Sequence, residues 1–190
     1  MRGLYICGYT AAVNPSVLLV PGLYDSGPEH WQSYWERTRG DCERVQQRDW
    51  ETPVCADWVA TLDAAVATMR GPPVLAAHSL GCCTVANWAA TTKRRARGAL
   101  LVAPSDVEAA GFPTGPTGFS PMPREKLPFP TIVVASENDE YVTPARAAEF
   151  AHAWGARLVM IGRVGHINSE SQLAGWLDGQ RLLEELLAAK

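Results

Sequence analysis

Short apolar runs recur along the chain at 17–20, 74–77, 99–103, 131–135 and 157–161, with a weaker one at 44–48. Most are flanked by Gly, Pro or Ser, and they stay apolar throughout instead of alternating. That is the pattern of strands in a parallel sheet covered on both faces. Between them, apolar residues return every three to four positions at 30–38, 57–69, 80–93, 144–154 and 179–189, which predicts helices. Strand and helix alternate, so the expected fold is α/β, with a mostly parallel sheet of about six strands and helices on both faces. In such sheets ligands sit beyond the carboxyl ends of the strands. Thr143 before Pro144 suits an N-cap followed by a first-turn proline, and Gly155 stands where a left-handed helix stop is expected.

One stretch breaks the alternation. Residues 105–130 hold six of the 14 prolines and three of the 16 glycines between two predicted strands, so they read as a long irregular loop, functional or mobile. At 190 residues, and about 150 per domain, one domain over 1–190 is expected. Residues 1–15 read as a peripheral N-terminal arm, because their apolar patch is interrupted and ends at Asn14-Pro15, without the sustained run of a secretory leader.

Composition narrows the function classes. With 47% hydrophobic and 19% charged residues and a net charge of -3, the chain carries no electrostatic footprint for nucleic acid or an anionic membrane surface. No apolar stretch approaches the roughly 20 residues that span a bilayer, so no membrane insertion is expected. The five cysteines (Cys7, Cys42, Cys55, Cys82 and Cys83) are odd in number and in no C-x-x-C spacing. They read as reduced thiols in a cytoplasmic protein. No H-E-x-x-H or paired His/Asp cluster suggests a metal. The G-x-x-x-x-G spacing at 22–27 is not a phosphate loop, because Pro28-Glu29 stands where Lys and Ser or Thr are required.

Candidate chemistry follows the strands. After the run at 74–77 comes His78-Ser79-Leu80-Gly81 and then a helical pattern. A serine at the tip of such a strand-turn-helix is held in a strained backbone that exposes its hydroxyl, and small residues two places on either side let strand and helix pass closely. Gly81 meets that need, while Ala77 stands for the first glycine of G-x-S-x-G. A serine hydroxyl needs a base within reach, itself oriented by an acid. Asp139 follows the strand at 131–135 and His166 follows the strand at 157–161, with Gly165 before it to let the ring turn. The order Ser, Asp, His is that of α/β-hydrolases. Asp106, which follows the strand at 99–103, competes with Asp139 for the acid. The first strand leads into Pro21-Gly22-Leu23, whose Leu23 amide, with that of Leu80, would form a two-donor oxyanion hole.

The blocks Pro21-Gly22, Glu29-His30-Trp31, Asp49-Trp50, Trp58, 77–81 (A-H-S-L-G), 101–104 (L-V-A-P), Ser136-Glu137-Asn138-Asp139 and 165–168 (G-H-I-N) together resemble the retinoblastoma-binding protein 9-like family of small serine hydrolases. The resemblance spans roughly residues 16–187 and implies an α/β-hydrolase fold. It implies Ser79 as nucleophile, Asp139 as acid and His166 as base. Hydrolysis of small esters, in some members of peptide or aminoacyl amides, without any cofactor, follows from it. Two departures stand out. Family members often carry Asp-Pro where this chain has Asp139-Glu140, and the retinoblastoma-pocket motif L-x-C-x-E is absent, so no protein partner is identified. Gly22, His78 and Trp31 are the expected substrate-binding residues, with Trp176 also near the mouth of the site. His30 reads as a cap or packing residue beside the oxyanion loop, and His152 as an ordinary helical residue. The alternative function is a protein-interaction module that keeps the hydrolase fold with little catalysis. The absence of room for a cap predicts an open crevice, covered at most by the loop at 105–130.

Overall fold

The computed structural model describes residues 16–189; the arm expected over 1–15, with Cys7, lies outside the described residues. Six strands, β1 (Val17–Val20), β2 (Cys42–Arg44), β3 (Val74–His78), β4 (Gly98–Val102), β5 (Thr131–Ala135) and β6 (Arg157–Met160), form one sheet. Its order is β2-β1-β3-β4-β5-β6 and every neighbouring pair is parallel. Five helices, α1 (Trp31–Thr38), α2 (Cys55–Thr68), α3 (Leu80–Thr91), α4 (Pro144–Trp154) and α5 (Leu177–Ala188), cover both faces; α1 to α4 lie in crossovers, α5 follows β6, and β4 passes to β5 without a helix. This is the expected α/β architecture.

The four inner strands, β1, β3, β4 and β5, are buried along their whole length because each face has its own core. Leu18, Val20, Leu75, Ala77, Leu101 and Val133 point into a cluster shared with α2, α3 and α4. Their neighbours Val17, Leu19, Val74, Ala76, Leu100 and Val134 point the other way, onto Trp31 and Trp35 of α1 and Leu183 and Leu186 of α5. Period two therefore persists in which face a residue serves, while polarity no longer reports it. Helix ends follow the chemistry of their sequences. Thr143 Oγ1 accepts from the Arg146 amide at 3.2 Å ahead of Pro144, and Gly155 closes α4 at φ 65°. His30 caps α1, its Nδ1 accepting from the Gln32 amide at 3.1 Å.

The second strand is the main correction. It runs over Cys42–Arg44 rather than 44–48, and only one further amide, Val45, bonds back to β1, to the Leu19 carbonyl at 2.9 Å. As an edge strand it has a single neighbour and needs little apolar signal. Arg44 turns its guanidinium to Asp25, Glu36 and Ser33, and Asp49 then bonds the amides of Glu51 and Thr52 in a tight turn.

Residues 105–130 contain no helix, so no cap domain covers the strand ends. The loop is nevertheless pinned. Val107, Phe119, Met122, Leu127 and Phe129 are buried, Thr117 pairs with Val54, and Glu108 accepts from the Met122 amide and from Arg124 and Arg146. Among the described residues no helix is long and apolar enough to cross a membrane.

The chain leaves β1 toward β2 on one side and places β3 on the other. A crevice therefore opens between the carboxyl ends of β1 and β3, where α/β sheets bind their ligands. Val20 pairs in register with Ala77, so Pro21–Leu23 lies alongside His78–Leu80.

Candidate active site

Ser79 occupies the turn between β3 and α3 with φ 54° and ψ -125°. A non-glycine residue held there stores on the order of 1–3 kcal/mol of strain. The surroundings enforce it: the Ser79 amide donates to the Val102 carbonyl at 3.0 Å, and its own carbonyl accepts from the Cys82 amide at 2.9 Å. Gly81 explains the sequence pattern. A Cβ on it would lie 2.2 Å from the Val20 carbonyl oxygen and 2.6 Å from that of Pro21. Ala77, in place of the other small residue, is fully buried in the core behind the turn.

His166 sits in the loop after β6, entered through Gly165 at φ 65°. Its Nε2 is 2.8 Å from Ser79 Oγ, and its Nδ1 is 2.9 Å from each carboxylate oxygen of Asp139. The Asp139 side chain is fully buried, whereas Glu140 beside it is exposed. Asp106 faces elsewhere: Arg146 holds its carboxylate, Nε to Oδ2 at 3.1 Å, and it accepts from the Glu108 amide. The structure thus brings Asp139, and not Asp106, to the imidazole. The His166 loop is tied down by the chain after β5, since Ser136 Oγ accepts from the Val164 amide and Asn138 Oδ1 from the Gly165 amide, both at 3.0 Å.

The expected oxyanion donors, Leu23 and Leu80, line the same cleft as Ser79. Among the described residues neither amide has an acceptor. Gly22 allows this approach, because a Cβ on it would lie 2.7 Å from Ser79 Cβ and 3.2 Å from the Leu80 nitrogen. Gly22 itself is a point of close backbone passage and not a lining residue.

The substrate-binding set needs correction. Trp31 is buried in the core under α1, away from the cleft, and its indole N–H donates to the Ile167 carbonyl at 3.0 Å. Trp176 is likewise packed on Trp31 and Trp35. Large aromatic rings with one donor satisfy themselves inside a core, and here that donor anchors the His166 loop. His78 lines the cleft, but its Nε2–H donates to the His166 carbonyl at 2.8 Å, so it also helps to hold the His166 loop. Burial lowers the His78 pKa well below the usual value, helped by the neighbouring His30. Burial, with Arg44 and His166 adding to it, takes His30 down to about 3. Both imidazoles are therefore neutral near pH 7. His152 is an exposed residue of α4, as expected. Cys82 and Cys83 are buried, and burial pushes both thiols upward, away from reactivity.

The cleft encloses about 280 Å³. Tyr24, Phe112, Pro113, Tyr141 and Ser105 line it, none of which the motif reading singled out. Phe112 and Pro113 come from the loop at 105–130, and the Tyr141 ring lies 4.5 Å from that of His166. Of these only Ser105 lies close to a strand end in the sequence, after Ala103-Pro104 beyond β4.

The serine hydrolase family model matches residues 17–185. The chain belongs to the serine hydrolase family. Among solved structures the hydrolase is similar to a YdeN-like protein from Pectobacterium atrosepticum, at 31% identity and TM-score 0.80, covering 92% of this chain and 91% of that one. The ydeN gene product of B. subtilis shares 18% identity at TM-score 0.71, covering 92% and 99%. A monoacylglycerol lipase from Paleococcus ferrophilus shares the fold at 13% identity and TM-score 0.71, covering 93% and 96%. No curated protein matches the hydrolase significantly.

Proposed function

We propose that this serine hydrolase cleaves small carboxylic esters through an acyl-enzyme, with thioesters and small peptide or aminoacyl amides as chemically equivalent targets. Ser79 Oγ attacks the carbonyl carbon while His166 Nε2 takes its proton, and Asp139 holds the ring and stabilises the imidazolium. The Leu23 and Leu80 amides receive the oxyanion. His166 then protonates the leaving group, and a water activated by the same ring releases the acid. The observation that carries this reading is the unbroken chain from the buried Asp139 through His166 to the strained Ser79, at the floor of a cleft. A binding scaffold that merely kept the fold would have no use for such a chain. The cavity, at the lower end of the roughly 300–1,000 Å³ usual for ligand sites, favours small acyl groups. The ordered block pattern supports placing the hydrolase beside the retinoblastoma-binding protein 9-like members of its family. Among the described residues the cysteines are unpaired, Cys55, Cys82 and Cys83 buried and Cys42 half-buried, which supports a cytoplasmic setting.

The test is a panel of p-nitrophenyl esters of graded chain length with aminoacyl amides, run on wild type and Ser79→Ala. Turnover of the short esters, abolished in the variant, is expected. Equal rates in the two proteins would overturn the assignment.

A further inference from the structure

Ser105 Oγ lies 2.9 Å from Ser79 Oγ. The residue is buried, lines the cleft, and comes from the end of β4, on a different strand from any of the triad groups. The direction of this hydrogen bond follows from counting hydrogens. Asp139 as a carboxylate only accepts, so it fixes the ring hydrogen on Nδ1 of His166. Nε2 is then an acceptor and takes the single hydroxyl hydrogen of Ser79. The remaining contact must run the other way: Ser105 Oγ–H donates and Ser79 Oγ accepts.

The residue is held for this. The Ser105 carbonyl accepts from Cys83 Sγ at 3.4 Å, and the next residue, Asp106, is fixed by Arg146 and by its amide bond to the Tyr141 carbonyl at 3.0 Å. Ser105 has no other side-chain partner among the described residues.

Resting on the triad reading above, we propose that Ser105 is a fourth catalytic group, whose hydroxyl stabilises the charge on Ser79 Oγ while the bonds of that oxygen change. In acylation the Oγ–carbon bond forms, the carbonyl π pair moves onto the oxyanion and the Oγ proton passes to His166 Nε2; the pair then re-forms the carbonyl, the bond to the leaving group breaks and His166 gives its proton to the departing group. In deacylation a water proton goes to His166 as the water oxygen bonds to the acyl carbon. The carbon–Oγ bond then breaks and His166 returns the proton to Oγ. Ser105 keeps its own proton throughout. Its bond changes from neutral to charge-assisted in each transition state, and charge-assisted bonds are roughly twice as strong. That difference corresponds to about a tenfold effect on rate.

The discriminating variant is Ser105→Ala, measured for kcat/KM on p-nitrophenyl acetate and for the second-order rate of inactivation by a fluorophosphonate. Both report attack by the same oxygen, so both should fall by the same factor, about tenfold, and Ser105→Thr should restore them. A role only in shaping the cleft would move the two probes by different factors. Wild-type rates in folded Ser105→Ala, or factors that differ between the probes, would overturn the proposal. Should Ser105→Ala not fold, Ser105→Cys preserves the volume with a weaker donor; a parallel fall supports the proposal and unchanged rates refute it. If wild type itself neither reacts nor turns over, the triad reading fails first and this inference with it, an outcome distinct from the failure of Ser105 alone.

Discussion

Gly81→Ala tests whether strand, elbow and oxyanion turn are one rigid unit. The added methyl would sit 2.2 Å from the Val20 carbonyl oxygen and 2.6 Å from that of Pro21. Both obstacles are backbone, so no side chain can swing away, and either α3 or the end of β1 must move by about 1 Å to restore van der Waals distances. Alanine in place of glycine inside a helix is worth about 1 kcal/mol by propensity alone. Overpacking of this kind costs about 1–3 kcal/mol, and the two overlaps put Gly81 at the upper end, so destabilisation wins by about 1–2 kcal/mol. For a chain of this size that is a fall in Tm of about 2–8 °C. The functional loss should be larger in proportion. The displaced segment leads directly into Gly22 and Leu23, and a 1 Å misplacement of a catalytic donor can cost about a hundredfold in turnover. Thermal melts and kcat on a short p-nitrophenyl ester read both effects, with Ala77→Gly, which introduces no clash, as the control. Gly81→Ala with wild-type Tm and wild-type kcat would refute the close-passage argument.

Asp139→Asn leaves the shape of the site but removes the charge that orients His166, and should lower kcat on the order of a thousandfold or more, whereas Asp106→Asn should keep kcat and lower only Tm; the reverse pattern in the same ester assay would assign the acid to Asp106. Folded His30 has a pKa of about 3 against 6.5 unfolded, so the unfolded chain binds the extra proton and stability falls as pH drops from 6.5 toward 3. By pH 5 this amounts to about 2 kcal/mol, with His78 acting in the same direction. Urea unfolding at pH 7 and pH 5 should show that loss, and His30→Asn, which keeps an acceptor at the helix cap, should shrink it. Glu170 lines the cleft, the Asp25 carboxylate there is paired with Arg44, and no Lys or Arg is among the lining residues, so a succinyl ester should react more slowly than the butyryl ester of the same alcohol, and equal kcat/KM would remove that electrostatic argument.

Much of the fold is legible in the sequence, for definite reasons. The inner strands β1, β3, β4 and β5, buried on both faces, write continuous apolar runs, and the run at 157–161 contains the edge strand β6, with Leu158 and Val159 half-buried between exposed ends. Ser79, Asp139 and His166 stand out in the sequence because they follow strands of a parallel sheet, and the structure brings the three within hydrogen-bond distance. The edge strand β2 carries no apolar signal because it is only Cys42-Glu43-Arg44 and its Arg44 is held by ion pairs instead of apolar contacts, whereas the other edge, β6, keeps Leu158 and Val159. Trp31 was misread because a large ring with one N–H fits a cleft mouth and a core equally well; only its bond to the Ile167 carbonyl decides between them. Phe112, Pro113 and Tyr24 reach the cleft along irregular loops with no periodicity to follow.

The central claim is that Ser79 forms the covalent intermediate. Intact-protein mass spectrometry after exposure to a fluorophosphonate, followed by peptide mapping, tests it most directly. A single adduct on the peptide carrying Ser79, absent from Ser79→Ala, is the predicted result; a folded wild-type protein that stays unmodified, or an adduct elsewhere with Ser79 free, would contradict it.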